Sequence, residues 1–166
     1  MTNYAKIKPV DVANGSGVRV SLFVTGCTHH CKGCFNSELW DFTAGEELTD
    51  DVILKVLDLC DKPYIRGLSL LGGEPLDPNN IQRLLLLCRL FKIRYPHKDI
   101  WCYTGYLWDQ VKRYHIMKYI DVLVDGKFVE NMKDPRLKFR GSKNQRIIDV
   151  KKSLEHDLIF LRGDLM

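Results

Sequence analysis

The stretch that decides the fold is GLSLLGGEPLDPNNIQRLLLLCRLFKIRYPHKDIWCYT, residues 67–104. It opens with the apolar run Gly67–Leu71, which predicts a buried strand. Asp77-Pro78 predicts the start of a helix, with the aspartate as cap and the proline in the first turn. Apolar residues then recur at helical spacing, and Asp99–Thr104 predicts the next strand. Strand, helix and strand in this order indicate a parallel βαβ unit.

The alternation of strands and helices continues on both sides of this unit. Upstream, Val18–Val24 predicts a strand, and Thr49 predicts the N-cap of a helix. Downstream, the pattern predicts a helix over Leu107–Met117, a strand over Ile120–Val124, and a late pair of strands over Arg146–Val150 and Leu158–Leu161. A closed eight-fold barrel needs about 250 residues. We therefore expect an α/β fold, an incomplete and open (β/α) barrel with mostly parallel strands.

Length and composition indicate one globular domain over residues 1–166. The hydrophobic share is 45% and the charged share 28%, which excludes a disordered or fibrous chain. No apolar run approaches the roughly 20 residues of a membrane span, and Met1–Val10 does not resemble a signal peptide. We expect a cytoplasmic protein without a membrane partner. The net charge of +4 comes from residues 127–166, and an excess this small is weak evidence for nucleic-acid binding, so we expect no nucleic-acid partner.

The unusual residues of the chain follow the predicted strands. In parallel α/β folds the ligand site lies at the carboxyl ends of the strands. Four segments come directly after the four predicted strands: Thr25-Gly26-Cys27, Gly72-Gly73-Glu74-Pro75, Gly105-Tyr106 and Asp125-Gly126-Lys127. We call these segments the rim loops, and their coincidence predicts an active site at that edge of the sheet.

Three of the six cysteines, Cys27, Cys31 and Cys34, lie within eight residues and indicate a metal centre. A cubane iron–sulfur cluster commonly takes four cysteines, so three would leave one iron open to another molecule. A zinc site remains an alternative, with His29 or His30 as its fourth ligand. The other three cysteines stand singly in apolar helical or strand patterns and are predicted to be core thiols: Cys60, Cys88 and Cys102.

The cysteine spacing, with Phe35 directly after Cys34, resembles the signature of the radical S-adenosylmethionine superfamily. Gly72-Gly73-Glu74-Pro75 looks like the adenosylmethionine-binding motif of that superfamily. Within it, the chain is similar to the family that activates anaerobic ribonucleoside-triphosphate reductases, in residues 15–19, 27–31, 101–106, 121–128 and 139–146. The resemblance covers about residues 4–150. The tail, residues 151–166, carries no motif of the family. One departure is Asn14–Gly17, where relatives often carry Asp-Gly-Pro-Gly.

The resemblance implies two cofactors, a [4Fe–4S] cluster and S-adenosylmethionine. Cys27, Cys31 and Cys34 would ligate the cluster. The residues expected to bind S-adenosylmethionine are Gly33, Cys34, Phe35, Gly72, Gly73, Glu74, Asp125 and Lys127. Glu74 and the glycines would hold the methionyl ammonium, Lys127 the carboxylate, and Asp125 a ribose hydroxyl or a cation. Tyr103, Thr104 and Tyr106 would line the pocket, and His29 and His30 would shield the cluster or form hydrogen bonds without ligating it.

The resemblance also implies the reaction and the partners. The protein would be an oxidoreductase with no catalytic residue beyond cluster and cofactor. Reductive cleavage of S-adenosylmethionine would give methionine and a 5′-deoxyadenosyl radical, which would form a glycyl radical on the large subunit of the reductase. A flavodoxin-type protein would donate the electron, and the basic segment 127–152 would form part of the docking surface for the reductase.

Two alternatives stay open at this point. Another small radical S-adenosylmethionine enzyme would share the motifs but activate a different glycyl-radical enzyme, or modify a small molecule. A zinc-binding nucleic-acid module would use the same cysteines and the basic carboxyl-terminal segment.

Overall fold

A computed structural model describes residues 1–166, which form one sheet of seven strands with helices packed on it. The strands are β1 (Asn3–Asp11), β2 (Val18–Val24), β3 (Glu46–Glu47), β4 (Ile65–Gly72), β5 (Asp99–Tyr103), β6 (Val122–Asp125) and β7 (Arg146–Asp149). The helices are α1 (Asp50–Leu59), α2 (Ile81–Arg94), α3 (Trp108–Val111) and α4 (Val150–His156). No helix is long and apolar enough to cross a bilayer.

The sheet has the order β3-β1-β2-β4-β5-β6-β7 and is open at both edges. The four central strands, β2, β4, β5 and β6, run parallel, as their apolar runs predicted. The outer strands β1, β3 and β7 pair antiparallel. This arrangement confirms the α/β class and the absence of a closed barrel.

Strands β1 and β3 were not predicted from the sequence. The sequence of β1 contains Lys6, Lys8 and Pro9, and its exposed and half-buried residues come in pairs without a period of two. The register with β2 also shifts twice along the strand. Irregular pairing of this kind removes the alternation by which a half-buried strand is recognised.

Three predicted helices or strands differ in the structure. The helix predicted to start at Asp77-Pro78 begins at Ile81. Asp77 closes a turn before it, because its carboxylate accepts from the amide of Asn79 at 2.9 Å. The helix expected over Leu107–Met117 is α3 followed by a separate short helical turn, His115–Lys118. Residues 158–161 form no strand. A single bridge joins Leu161 to Ile148, and the unpredicted helix α4 precedes it.

The main core lies between the sheet and its helices. Alternate strand residues such as Val20, Leu68 and Ile100 face the helices and are fully buried. The three isolated cysteines lie in this core, as predicted: Cys60, Cys88 and Cys102. Burial raises the pKa of the thiols of Cys60 and Cys88 to about 12, so both stay protonated at neutral pH.

The opposite face of the sheet is covered by loops and contains a buried arginine side chain. Arg19 of β2 is fully buried and forms an ion pair with Asp99 at 2.7 Å. Its Nε donates to Ser69 Oγ at 2.7 Å, and its Nη1 donates to the carbonyl of Ser16 at 3.0 Å. Ser69 in turn donates to the carbonyl of Asn14 at 2.6 Å. The loop Asn14–Gly17 is thereby attached to the centre of the sheet.

Candidate active site

A cavity of about 360 Å³ opens at the carboxyl ends of the parallel strands. All four rim loops contribute to its wall, through Cys27, the Gly72–Glu74 segment, Gly105 and Gly126. Carboxyl ends of parallel strands meet at one edge of a sheet, so residues far apart in the chain converge there. Cavities of roughly 300–1,000 Å³ hold drug-sized ligands, so this one is large enough for a nucleoside-sized molecule.

Cys27, Cys31 and Cys34 all line this cavity, and each is a free, half-buried thiol. Burial raises the pKa of Cys27, although the amides of His29 and His30 act against it. Burial also raises the pKa of Cys31, opposed by the amide of Phe128 and the charge of Lys127. Metal binding requires thiolates, so it would release protons from these thiols.

The two histidines between these cysteines are already engaged with other side chains. His30 stacks on Trp40, with ring centroids 4.4 Å apart. His29 Nε2 lies 2.7 Å from Glu74 Oε1, and the imidazole is nearly buried. No three metal-ligating side chains converge closely enough to hold a single ion.

Gly72 and Gly73 allow two backbone segments to pack closely. A Cβ on Gly72 would lie 2.4 Å from the carbonyl oxygen of Val24, and one on Gly73 would lie 2.6 Å from that of Gly26. Gly72 also has a φ of +116°, which favours glycine. The absence of side chains therefore serves contact with the segment that leads into Cys27, while both glycines also line the cavity.

Glu74 is buried, and its carboxylate is saturated by protein donors. Oε1 accepts from His29 and from the amide of Gly105, at 2.7 and 2.8 Å. Oε2 accepts from the amide of Leu76 at 2.9 Å, and the hydroxyl of Thr104 contacts both oxygens. The side chain expected to help hold a ligand ammonium is thus hydrogen-bonded to the protein itself.

Asp125 and Lys127 lie in different surroundings, although only one residue separates them in the sequence. The Asp125 carboxylate is fully buried, and it accepts from Arg146 Nη2 at 2.6 Å and from the amide of Trp108 at 2.9 Å. It does not line the cavity described above, and its expected contact with a ribose or cation stays a prediction. Lys127 is exposed and lines a smaller cavity beside Cys31.

The remaining predicted residues divide between the cavity and its surroundings. Phe35, Tyr103 and Thr104 line the cavity. Gly33 and Tyr106 do not. Gly33 adopts a φ of +74° in the cysteine segment, and Tyr106 lies edge-on to His29 with ring centroids 4.7 Å apart. Tyr103 presents a buried hydroxyl without a protein partner, and burial raises its pKa.

Several cavity residues were not predicted from the sequence as site residues. They are Ala13, Asn14, Asn36, Trp40, Leu71, Phe128, Leu137, Phe139, Arg140, Gly141 and Gln145. Most come from the loop that precedes β2 and the loop that precedes β7. The first loop precedes the parallel strands, and most of these residues in the second lie beyond the segment directly after β6, so the rule that pointed to the rim loops did not find them. The available signals were the family resemblance over residues 121–128 and 139–146 and the departure at Asn14–Gly17.

Comparison with known proteins identifies consistent relatives. A family model described as a 4Fe-4S single cluster domain matches residues 13–148. The chain is 43% identical over 145 residues to the anaerobic ribonucleoside-triphosphate reductase-activating protein of Enterobacteria phage T4, covering 87% of this chain and 92% of the relative. Proteins of the same name match from Haemophilus influenzae, at 48% over 150 residues, and Escherichia coli K12, at 44% over 149 residues. These cover 87% and 86% of this chain, and 96% of each relative.

Proposed function

Because the chain belongs to the family of anaerobic ribonucleoside-triphosphate reductase-activating proteins, we propose that it activates such a reductase by forming a glycyl radical on its large subunit. The observation that carries this proposal is the convergence of Cys27, Cys31 and Cys34 with the Gly72–Glu74 segment on one cavity. The two motifs are about 40 residues apart in the sequence, and contact between them is what a cluster-bound cofactor would require.

The donor set fits a [4Fe–4S] cluster held by three thiolates. Three free cysteines line one cavity wall, and both neighbouring histidines are engaged elsewhere. Thiolates are the usual ligands of such clusters. Cys27, Cys31 and Cys34 would therefore hold the cluster, and the rest of the cavity would receive S-adenosylmethionine.

Bound together, the cluster and S-adenosylmethionine supply a one-electron reductive cleavage whose radical product can remove a hydrogen atom from a glycine. The chain itself supplies binding, orientation and exclusion of water. The main-chain groups of the Gly72–Glu74 segment would bind the methionyl ammonium, and Lys127 would face its carboxylate. Phe35, with its ring exposed beside Phe128 at 5.1 Å, would cover the adenine together with Cys34 and the backbone at Gly33.

The open sheet suits a reaction on a polypeptide. We propose that it is the incomplete (β/α) barrel of the radical S-adenosylmethionine type, whose open side admits a loop of the reductase. A flavodoxin-type protein would supply the electron. The exposed lysines of the basic segment 127–152 would face the reductase.

The test is electron paramagnetic resonance on anaerobically reduced chain with S-adenosylmethionine, measured with and without the reductase. A glycine-centred doublet that arises only in the mixture is expected. Cleavage of S-adenosylmethionine without any doublet in the mixture would assign the chain to a different radical enzyme, acting on another protein or on a small molecule.

A zinc-binding module is the second candidate, and the geometry does not favour it. Zinc takes four ligands at about 2.0–2.3 Å from one point, and no three candidate ligands converge that closely here. Metal and sulfide analysis of oxygen-protected protein separates the two. A cluster gives about four irons and four sulfides per chain, whereas the module gives one zinc and no sulfide.

A further inference from the structure

We propose that His29 is a positioning residue, whose hydrogen bond to Glu74 holds the cysteine loop, residues 27–34, in the shape that binds the cluster. The proposal rests on the cluster assignment made above and adds a specific role for a side chain outside the three-cysteine ligand set of the cluster. It also gives a role to the carboxylate of Glu74, both oxygens of which accept hydrogen bonds from the protein.

The first observation is how few hydrogen bonds attach this part of the chain. Cys27 is fixed by its amide, which donates to the carbonyl of Trp40 at 3.1 Å. Beyond it, residues 28–38 contain internal turns, such as Cys34 N to the carbonyl of Cys31. Apart from contacts of the cysteine sulfurs and the turn bonds that Leu39 and Trp40 donate at the end of this segment, the His29–Glu74 bond is its one hydrogen bond to the rest of the protein.

The second observation is that the site which receives the imidazole is fixed by the protein's own groups. The side chains of His29 and Glu74 are 6% and 1% exposed, so water competes little for this bond. In the tautomer with its proton on Nε2, the imidazole donates this hydrogen bond to the carboxylate. Thr104 and the amides of Gly105 and Leu76 fix the carboxylate from its other sides.

The third observation is a slot that fits the imidazole. A Cβ on Gly105 would lie 2.6 Å from His29 Cδ2 and 2.8 Å from its Nε2. The ring of Tyr106 closes the slot edge-on. The backbone of Gly105 needs no positive φ, so the missing side chain matters here for space alone.

These contacts join three loops at the carboxylate of Glu74. The cysteine loop is joined through His29, the loop after β4 through Glu74 itself, and the loop after β5 through Gly105. Loss of the bond should leave the core intact, because no core residue takes part. It should free the segment that contains Cys31 and Cys34, whose thiolates must reach the same cluster. His30 is the natural comparison, since it is exposed and its side chain stacks on Trp40 without making a hydrogen bond.

The experiment uses the full chain with His29→Leu, His29→Gln and His30→Asn. Glutamine places an N–H close to the position of Nε2 and should restore the bond, whereas leucine cannot. Asparagine tolerates the left-handed backbone of His30, which has a φ of 48°. Hydrogen exchange of residues 28–38 is measured on metal-free protein. Iron content and the electron paramagnetic resonance spectrum of the reduced cluster are measured after reconstitution.

We expect H29L to speed exchange in residues 28–38 roughly tenfold, as loss of a buried charged hydrogen bond implies. Its iron content should fall below half that of the unsubstituted chain, and the spectrum of the remaining cluster should change. H29Q and H30N should behave like the unsubstituted chain. Unchanged exchange, iron and spectrum in H29L would overturn the proposal, as would H29Q being as defective as H29L.

Gly105→Ala provides an independent route, and it decides the question if H29L does not fold. The added methyl group should expel the imidazole and reproduce the fast exchange and low iron content. A native-like G105A would contradict the role of the slot. If the unsubstituted chain itself takes up no cluster, the proposed function fails, while the exchange comparison on metal-free protein still tests the His29–Glu74 bond separately.

Discussion

Gly26 and Gly73 meet backbone against backbone at the edge of the cavity. A Cβ on Gly73 would lie 2.6 Å from the carbonyl oxygen of Gly26, and the amide of Glu74 donates to that same oxygen at 2.8 Å. Gly26 immediately precedes the first cysteine, and Gly73 lies in the motif expected to bind S-adenosylmethionine. The distance between the cysteine segment and the Gly72–Glu74 segment is therefore set by a contact that tolerates no side chain.

Gly73→Ala should separate these two segments. Forcing a methyl group into packed backbone costs about 1–3 kcal/mol, so we expect that loss in the free energy of unfolding, measured with urea. Iron retention after reconstitution should also fall. Gly163→Ala is the matched control, because no atom lies within 4 Å of its Cβ position. Equal behaviour of the two variants would show that the Gly26–Gly73 contact is not required.

Cys31→Ala should abolish cluster retention and S-adenosylmethionine cleavage while the protein still folds. Cys31 lies at the cavity wall, half-buried and outside the hydrophobic core. Cys88→Ala is the control. It removes a fully buried core thiol and should cost about 1 kcal/mol in stability while the iron content stays unchanged. Iron and sulfide analysis with circular dichroism measures both, and a full cluster in C31A would refute the ligand assignment.

Asp11 should contribute a pH-dependent part of the stability. Burial raises its pKa, but hydrogen bonds from Ser21, Ala13 and Asn14 outweigh burial and hold the pKa below the usual range. A carboxyl with a lowered folded pKa stabilises the fold above its unfolded pKa of about 3.9 and loses that contribution as pH falls through the folded value.

Asp11→Asn should therefore be less stable than the unsubstituted chain by about 1–2 kcal/mol at pH 7. The difference should narrow between about pH 5 and pH 2, because the unsubstituted carboxyl becomes protonated there. Urea unfolding across this range measures it. A difference that stays constant with pH would mean that the charge of Asp11 does not stabilise the fold.

Charge reversal in the loop before β7 should weaken activation of the reductase. Lys138 and Lys143 are exposed, and Phe139, Arg140 and Gly141 between them line the cavity, so this loop is both a wall of the site and a basic surface. We expect Lys138→Glu with Lys143→Glu to reduce glycyl-radical formation several-fold at low salt and less at high salt.

Cleavage of S-adenosylmethionine in the absence of the reductase should be unchanged in this double variant. Lys55→Glu, on the exposed face of α1, controls for a general effect of lost positive charge. Equal loss of both activities would mean that the substitutions damage the cofactor site. If all variants activate the reductase equally, the loop is not part of the docking surface.

Much of the fold could be predicted because its central strands are buried on both faces. Val18–Val24 forms the predicted strand with the predicted ends, and Thr49 caps α1, accepting from the amide of Val52 at 3.3 Å. The outer parts of the sheet were missed for the opposite reason. The strand β1 and the bridge at Leu161 depend on pairing with neighbours that only the folded chain provides.

The sequence by itself determined which chemical groups are available: three closely spaced thiols, the glycine motif after the second parallel strand, and three further cysteines in apolar patterns. Local spacing and periodicity are enough for that, since both are properties of neighbouring residues. Only the tertiary structure decided which groups are free to act. In the sequence, Glu74 and Asp125 are both carboxylates in rim loops. Their hydrogen-bond partners, His29 and Arg146, come from distant segments of the chain. A buried carboxylate binds whichever donors the fold brings to it, and no local pattern encodes those donors.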